Sequence, residues 1–384
     1  MRKTVDFECV AMLLQGGGAL GSYQAGVYQA FAERGLHPDW VAGISIGSIN
    51  SALIAGNAPE RRVQALREFW EQITTHSPLR TAWVSALNAL PTQSGDGAHA
   101  WVNQMSALAT LLSGASGFFH PRLCPPYLAL GGTAEAMSFY DTAPLKQTLE
   151  RLVDFDRINS GETRFSVGAV NVTTGNFHYF DNTTHTIDAR HIMASGALPP
   201  GLPAVEIEGE YYWDGGVVSN TPLEWVLSNQ PRQDTLAFQV DLWSAVGEYP
   251  TDLISQDVRL KDIRYSSRTR QGTDQFKQEQ GLRRALAHLL SQLPDKVKAT
   301  ENPDLKRVLA EANDKVYNIA QLIYRAKNYE GDSKDYEFSR VTMEEHWASG
   351  YEDASAMLSY PQVFARPTNP EGVNTFDLAH LPKT

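Results

Sequence analysis

The stretch WVAGISIGSINSALIA, residues 40–55, decides the fold. Trp40 to Ile44 is a short apolar run of the kind that forms a buried strand, and Ile49 to Ala55 reads as a helix. Between them stands Gly43-Ile44-Ser45-Ile46-Gly47, a G-x-S-x-G pattern at a strand-to-helix junction. There a serine occupies a strained turn that projects its hydroxyl. Side chains at Gly43 or Gly47 would collide with neighbouring backbone. The following helix brings the positive end of its dipole to the same place.

A second strand–helix unit lies upstream. Cys9 to Leu14 is an apolar block that ends in glycines, and Tyr23, Val27, Ala30 and Phe31 then recur at helical spacing until Gly35. Strand, helix, strand, helix in this order predicts an α/β layered fold on a mainly parallel sheet.

The first junction is Gly16-Gly17-Gly18-Ala19-Leu20-Gly21. Two uses compete for it. It matches the G-x-G-x-x-G dinucleotide fingerprint, and it suits an oxyanion hole made of glycine N–H groups. A dinucleotide site wants an acidic residue at the end of the second strand. Asp39 instead precedes that strand, and Ser45 occupies its end, which argues against a nucleotide. Taken alone, the motif is equally a structural glycine turn.

A serine hydroxyl needs a base. The histidines late in the chain, His288, His346 and His380, lie in an amphipathic helix, a charged stretch and the tail. Each reads as a surface or helix-end histidine. Tyr212-Trp213-Asp214-Gly215-Gly216 offers a carboxylate at a strand end before a Gly-Gly turn. In isolation that segment is also a β-turn whose Asp satisfies its own backbone.

Together GGGALG, GISIG and DGG resemble the three ordered motifs of the patatin-like phospholipase family, and residues 191–223 resemble the family's approach to its aspartate. The resemblance spans residues 8–245. It implies a three-layer patatin-like fold and a Ser-Asp dyad without histidine. Ser45 would attack a lipid ester, Asp214 would accept its proton, and the Gly16, Gly17, Gly18 turn would hold the oxyanion, chiefly through Gly17 and Gly18. It implies a phospholipase A or lysophospholipase type of reaction, with no cofactor and no metal. Many members carry Arg or Lys where Leu20 stands here. A cation there would neutralise a phosphate, so a non-phospholipid esterase stays open as an alternative. A binding or scaffold protein acting through its C-terminal helices is the other.

The rest of the chain sets bounds. It has 384 residues, 33 basic and 44 acidic, for a net charge of −11. Bulk charge therefore does not draw it to nucleic acid or anionic membranes. Transient membrane contact would need an apolar patch or a local basic cluster. Cys9 and Cys124 give no disulfide framework or closed metal set, fit a reducing compartment and read as two buried small hydrophobes. Asp6 and Glu8 interrupt any signal-peptide core, so a cytoplasmic protein is expected, peripheral at the membrane at most.

Thr81 to Pro121 holds one formal charge, Asp96, with Trp83, Trp101, Phe118 and Phe119. It reads either as core helices or, within 81–140, as a cap whose apolar face meets acyl chains. Ala143 to Ile158 is amphipathic, Phe165 to Val172 a strand, Phe177 to Phe180 its hairpin partner, and Leu236 to Trp243 the last strand of the sheet. Residues 246–384 read as a mainly helical extension that docks on the catalytic domain or mediates assembly. One helical face there takes Leu305, Val308, Leu309, Ala312, Val316 and Ile323. Arg259 to Lys298 holds ten basic and four acidic residues, either a solvated face or a strip for anionic head groups.

Overall fold

The structure, a computed structural model, describes residues 5–75, 96–266, 269–294, 302–327 and 330–380. Strand β1 (Cys9–Leu14) leads through the glycine turn to helix α1 (Ser22–Glu33). Strand β2 (Trp40–Ile44) leads through Ser45 to α2 (Ile46–Ala55), and α3 (Pro59–Ile73) follows. Further on come α4 (Asp96–Ser113), β3 (Arg164–Asn171), β4 (Phe177–Asp181), α5 (Ala189–Ser195), β5 (Val205–Ile207), β6 (Glu210–Asp214) and β7 (Thr235–Asp241). The C-terminal third adds α6 (Leu253–Tyr265), α7 (Thr269–Ser291), β8 (Tyr317–Ile323), α8 (Arg340–Met357) and β9 (Val373–Asp377).

Among the described residues one nine-stranded sheet runs β9-β8-β7-β1-β2-β3-β6-β5, with β4 also paired to β3. Pairs from β9 to β3 are parallel, and β4, β5 and β6 join antiparallel. Helices cover both faces, and β1 shows why. Val10, Met12 and Leu14 enter one core cluster while Cys9, Ala11 and Leu13 enter the other. A strand buried on both faces reads as a continuous apolar run.

The α/β expectation holds, and so does the mostly helical character of the C-terminal third. Two particulars differ. β7 is not the last strand, because β8 and β9 continue the sheet beyond it in parallel. Val316 and Ile323 therefore do not share a helical face with Leu305; the helix there ends at Glu311. A boundary at residue 245 coincides with no break in the sheet. The C-terminal third docks on the rest, with α8 lying on α1 and Trp347 Nε1 donating to Gln29 Oε1 at 2.6 Å.

The apolar stretch around residue 100 divides. Phe118 and Phe119 are buried, whereas Trp101, Leu108 and Leu112 are exposed on α4. Trp83 lies outside the described residues. Cys9 is buried as expected, but Cys124 is exposed. The basic segment is largely engaged internally. Lys261 pairs with Asp335, Arg283 with Glu279 and Glu311, and Arg284 donates to the carbonyls of Pro370 and Asp314. Arg268, Lys296 and Lys298 lie outside the described residues. Among the described residues no helix is long and apolar enough to cross a membrane.

Candidate active site

The C-terminal ends of adjacent parallel strands form the crevice of an α/β sheet. Leu14 is in register with Gly43, so the glycine turn after β1 and Ser45 after β2 emerge side by side. Ile44 is in register with Gly168, and the next residue, Ala169, with Asp214. The antiparallel strand β6 thereby delivers Asp214 to the level of Ser45.

Ser45 has φ 54° and ψ −123°. Such a backbone costs on the order of 1–3 kcal/mol and persists only where surroundings impose it. Here they do. The Ser45 N–H donates to Ser195 Oγ at 3.0 Å and also faces the Ser195 carbonyl at 3.2 Å. Ser195 Oγ in turn donates to the Gly168 carbonyl at 2.6 Å, and Ser48 Oγ donates to the Ser45 carbonyl at 2.6 Å. A methyl on Gly43 would lie 2.2 Å from the Gly47 oxygen, and one on Gly47 2.2 Å from the Leu14 oxygen. The elbow thus closes only with glycine on both sides.

Asp214 is 2% exposed. Its carboxylate accepts from the Gly216 N–H at 2.7 Å, and the Ser45 side chain nearby also favours its charged form. Burial disfavours that form and outweighs both, so its pKa is pushed up to about 7. Gly215 and Gly216 form the turn after it, with Gly215 pressed against the Gly168 carbonyl.

The glycine turn is fixed peptide by peptide. The Gly16 carbonyl accepts from Asn220 Nδ2 and Trp243 Nε1, both at 2.9 Å. In a trans peptide the N–H points opposite its carbonyl, so the Gly17 N–H is aimed by these bonds. The Gly17 carbonyl accepts from the Leu20 N–H at 3.2 Å, which aims the Gly18 N–H in the same way. Among the described residues, neither of these two N–H groups has a protein acceptor. Gly16 differs from the expectation. Its N–H is engaged with the Asn220 carbonyl at 3.3 Å, leaving Gly17 and Gly18 as the turn's open donors. Gly21, the last residue of the motif, packs against Ile46 and Trp70.

Sequence reading missed the residues that hold this turn. Gln15 is fully buried and uses every polar atom. Its Oε1 accepts from the N–H groups of Leu242 (2.7 Å) and Trp243 (3.0 Å), and its Nε2 donates to Thr221 Oγ1 (2.9 Å) and the Tyr265 carbonyl (3.1 Å). Asn220 also donates to the Tyr265 carbonyl. The one signal in the sequence was a lone amide, Gln15, closing a six-residue apolar run.

Ser45, Asp214 and the three glycines open into one cavity of about 290 Å³. Its remaining wall is mostly apolar, including Ile49, Leu111, Phe118, Phe119, Leu202 and Phe338. Among the described residues no histidine lines it. His288 is exposed, but His346 is buried, contrary to expectation, with Nε2 3.4 Å from Glu330. Leu20 is fully buried in the core and is not part of the cavity wall. Among the described residues no group of three His, Cys, Asp or Glu is placed to hold a metal.

A serine on a strand–turn–helix elbow, at the ends of the parallel strands of an α/β sheet, is the arrangement in which hydrolases of carboxylic esters hold their nucleophile. The comparisons with known proteins narrow the class. A patatin-like phospholipase model matches residues 12–227, and a patatin phospholipase model matches residues 263–370. The chain belongs to the patatin-like phospholipase family, whose members act on lipid esters. Among solved structures, that of VipD from Legionella pneumophila is similar at 14% identity and a TM-score of 0.39, over 92% of this chain and 67% of that one. No curated protein matches the chain.

Proposed function

We propose that the chain hydrolyses lipid carboxylic esters with Ser45 and Asp214 as a dyad, in the manner of a phospholipase A or lysophospholipase. The observation that carries this reading is the strained Ser45 beside a buried Asp214 in one largely apolar cavity. Ser45 Oγ bonds to the ester carbonyl carbon as its proton passes to Asp214. The Gly17 and Gly18 N–H groups hold the negative oxygen. The C–O bond to the leaving alcohol then breaks, and that alcohol takes the proton from Asp214. Water attacks the acyl-enzyme, giving its proton to Asp214, and Ser45 departs with that proton as the fatty acid leaves. A carboxylate is a weak base, so a pKa near neutrality and preorganised donors both matter.

Residues 96–140, the described part of the expected cap, are proposed to cover the acyl chain through Leu111, Phe118, Phe119 and Tyr140 in the cavity wall; residues 81–95 lie outside the described residues. Exposed Leu112, Leu123 and Leu128 suit transient contact with a lipid surface. A fluorophosphonate probe should label wild type at Ser45 and leave Ser45→Ala untouched. Asp214→Asn should lose about 10⁴-fold in turnover; near wild-type turnover in that variant would sink the dyad. Substrate loss from a lipid extract, wild type against Ser45→Ala, reads out head group and chain length.

A further inference from the structure

We infer that a strap from the C-terminal third, residues 332–338, positions the oxyanion donors, with Lys261 and Asp335 as positioning residues. The inference rests on the acyl-transfer reading above. The strap reaches the glycine turn directly. The Ala19 N–H donates to the Asp335 carbonyl at 2.7 Å, and that oxygen lies 2.0 Å from where a Gly18 methyl would stand. Gly18 has φ +55°, so the turn both needs glycine for its backbone and leaves no room beside the strap. With the Gly16 and Gly17 carbonyls tied as described, the Asp335 carbonyl fixes the third successive peptide of the turn.

What holds the strap is a crossed pair of ion pairs to α6. Lys261 Nζ is 2.6 Å from Asp335 Oδ1, and Lys334 Nζ is 2.6 Å from Asp262 Oδ1. Consecutive residues on α6 thus exchange opposite charges with consecutive residues on the strap. Lys261 also donates to the Asp332 carbonyl at 2.8 Å. The Lys334 side chain is only 4% exposed and that of Lys261 20%, so these pairs are screened less than surface pairs. The same helix, through the Tyr265 carbonyl, receives Gln15 and Asn220, which hold the other side of the turn. Asp335, Tyr336 and Phe338 then form part of the cavity wall. Helix α6 therefore grips the turn from both ends, across a gap of more than 200 residues in sequence.

The test uses the full-length chain and 4-nitrophenyl butyrate. Lys261→Met should lower kcat about tenfold while KM stays within about twofold. Affinity for a trifluoromethyl ketone, which forms a tetrahedral adduct on the serine, should fall in step with kcat. Lys261→Arg should restore most of both. Lys327→Met, which removes an exposed pair with Glu345 in the same third, should change neither. Should Lys261→Met fail to fold, Asp335→Asn carries the same expectation, since it keeps the backbone carbonyl and removes the charge. Unchanged kcat and ketone affinity in these variants, even with a lowered Tm, would overturn the positioning role. A wild type that is inactive and unlabelled at Ser45 would instead overturn the acyl-transfer reading beneath it.

Discussion

The serine elbow and the glycine turn sit side by side at the ends of β2 and β1, yet they are held in different ways. The elbow is closed mainly by steric contact, with backbone packed on Gly43 and Gly47, and is fastened by the Ser48 hydroxyl three residues on and by Ser195 from 150 residues away. The turn is held at long range, by Asn220, Trp243 and the Asp335 carbonyl. A nucleophile needs one strained residue, which sterics can impose. Oxyanion donors need several peptides aimed at one point, and only polar partners from elsewhere in the fold can aim them.

Changes on the elbow side should give the largest effects on turnover. Gly47→Ala places a methyl 2.2 Å from the Leu14 oxygen, so turnover should fall by at least about 10³-fold and stability by about 3 kcal/mol or more. Turnover and urea melts check this. Gly18→Ala, on the other side, places a methyl 2.0 Å from the Asp335 oxygen at φ +55°, so it should cost about 10²-fold in kcat and at least as much stability as Gly47→Ala. A Gly18→Ala variant that folds and keeps wild-type kcat would break the assignment of donors to the turn.

The base adds a pH dependence of similar size. In the proposed dyad Asp214 must be ionised to accept the proton, and its pKa of about 7 makes kcat/KM rise with pH until just above neutrality. At pH 5 the rate should be about a hundredfold below its plateau. The stability effect has the opposite direction. The folded pKa lies above the ordinary aspartate value of 3.8, so the fold binds the proton more tightly than the unfolded chain. That contribution is present below about 4 and is lost as pH rises through 7. Asp214→Asn should therefore melt about 2 °C or more above wild type at pH 8, with the gain shrinking at low pH.

Gln15→Leu removes the amide that ties the start of the turn to Trp243 and Tyr265, and should lower kcat about tenfold. Smallest of all, breaking the exposed Arg67–Glu344 pair should change stability by about 0.5 kcal/mol or less and leave kcat alone.

The same contrast explains what was legible. The elbow, Asp214 and the strands β1 to β4 announce themselves through local pattern, since glycine spacing and apolar runs are properties of neighbouring residues. The turn's supports do not. Gln15, Asn220 and Asp335 are ordinary polar residues until the fold brings them together. β8 was hidden for another reason. Tyr317 to Ile323 is buried almost throughout, so its apolar residues show no two-residue alternation, and Val316 and Ile323 fitted a helical face equally well. The parallel pairing of β8 to β7 joins segments about eighty residues apart, beyond any local signal.

That pairing also governs how the chain can be cut. β7, Thr235–Asp241, is buried along its whole length and hydrogen-bonds β1 on one side and β8 on the other. A fragment ending near residue 245 would keep Ser45, Asp214 and all three glycine motifs. It would also present TLAFQVD, which carries a single charge and includes Thr235, Phe238 and Val240, as an open sheet edge. Such an edge recruits strands from other molecules. The shortest piece that carries every sequence motif is thus expected to aggregate, and β8 is the strand that covers the β7 edge.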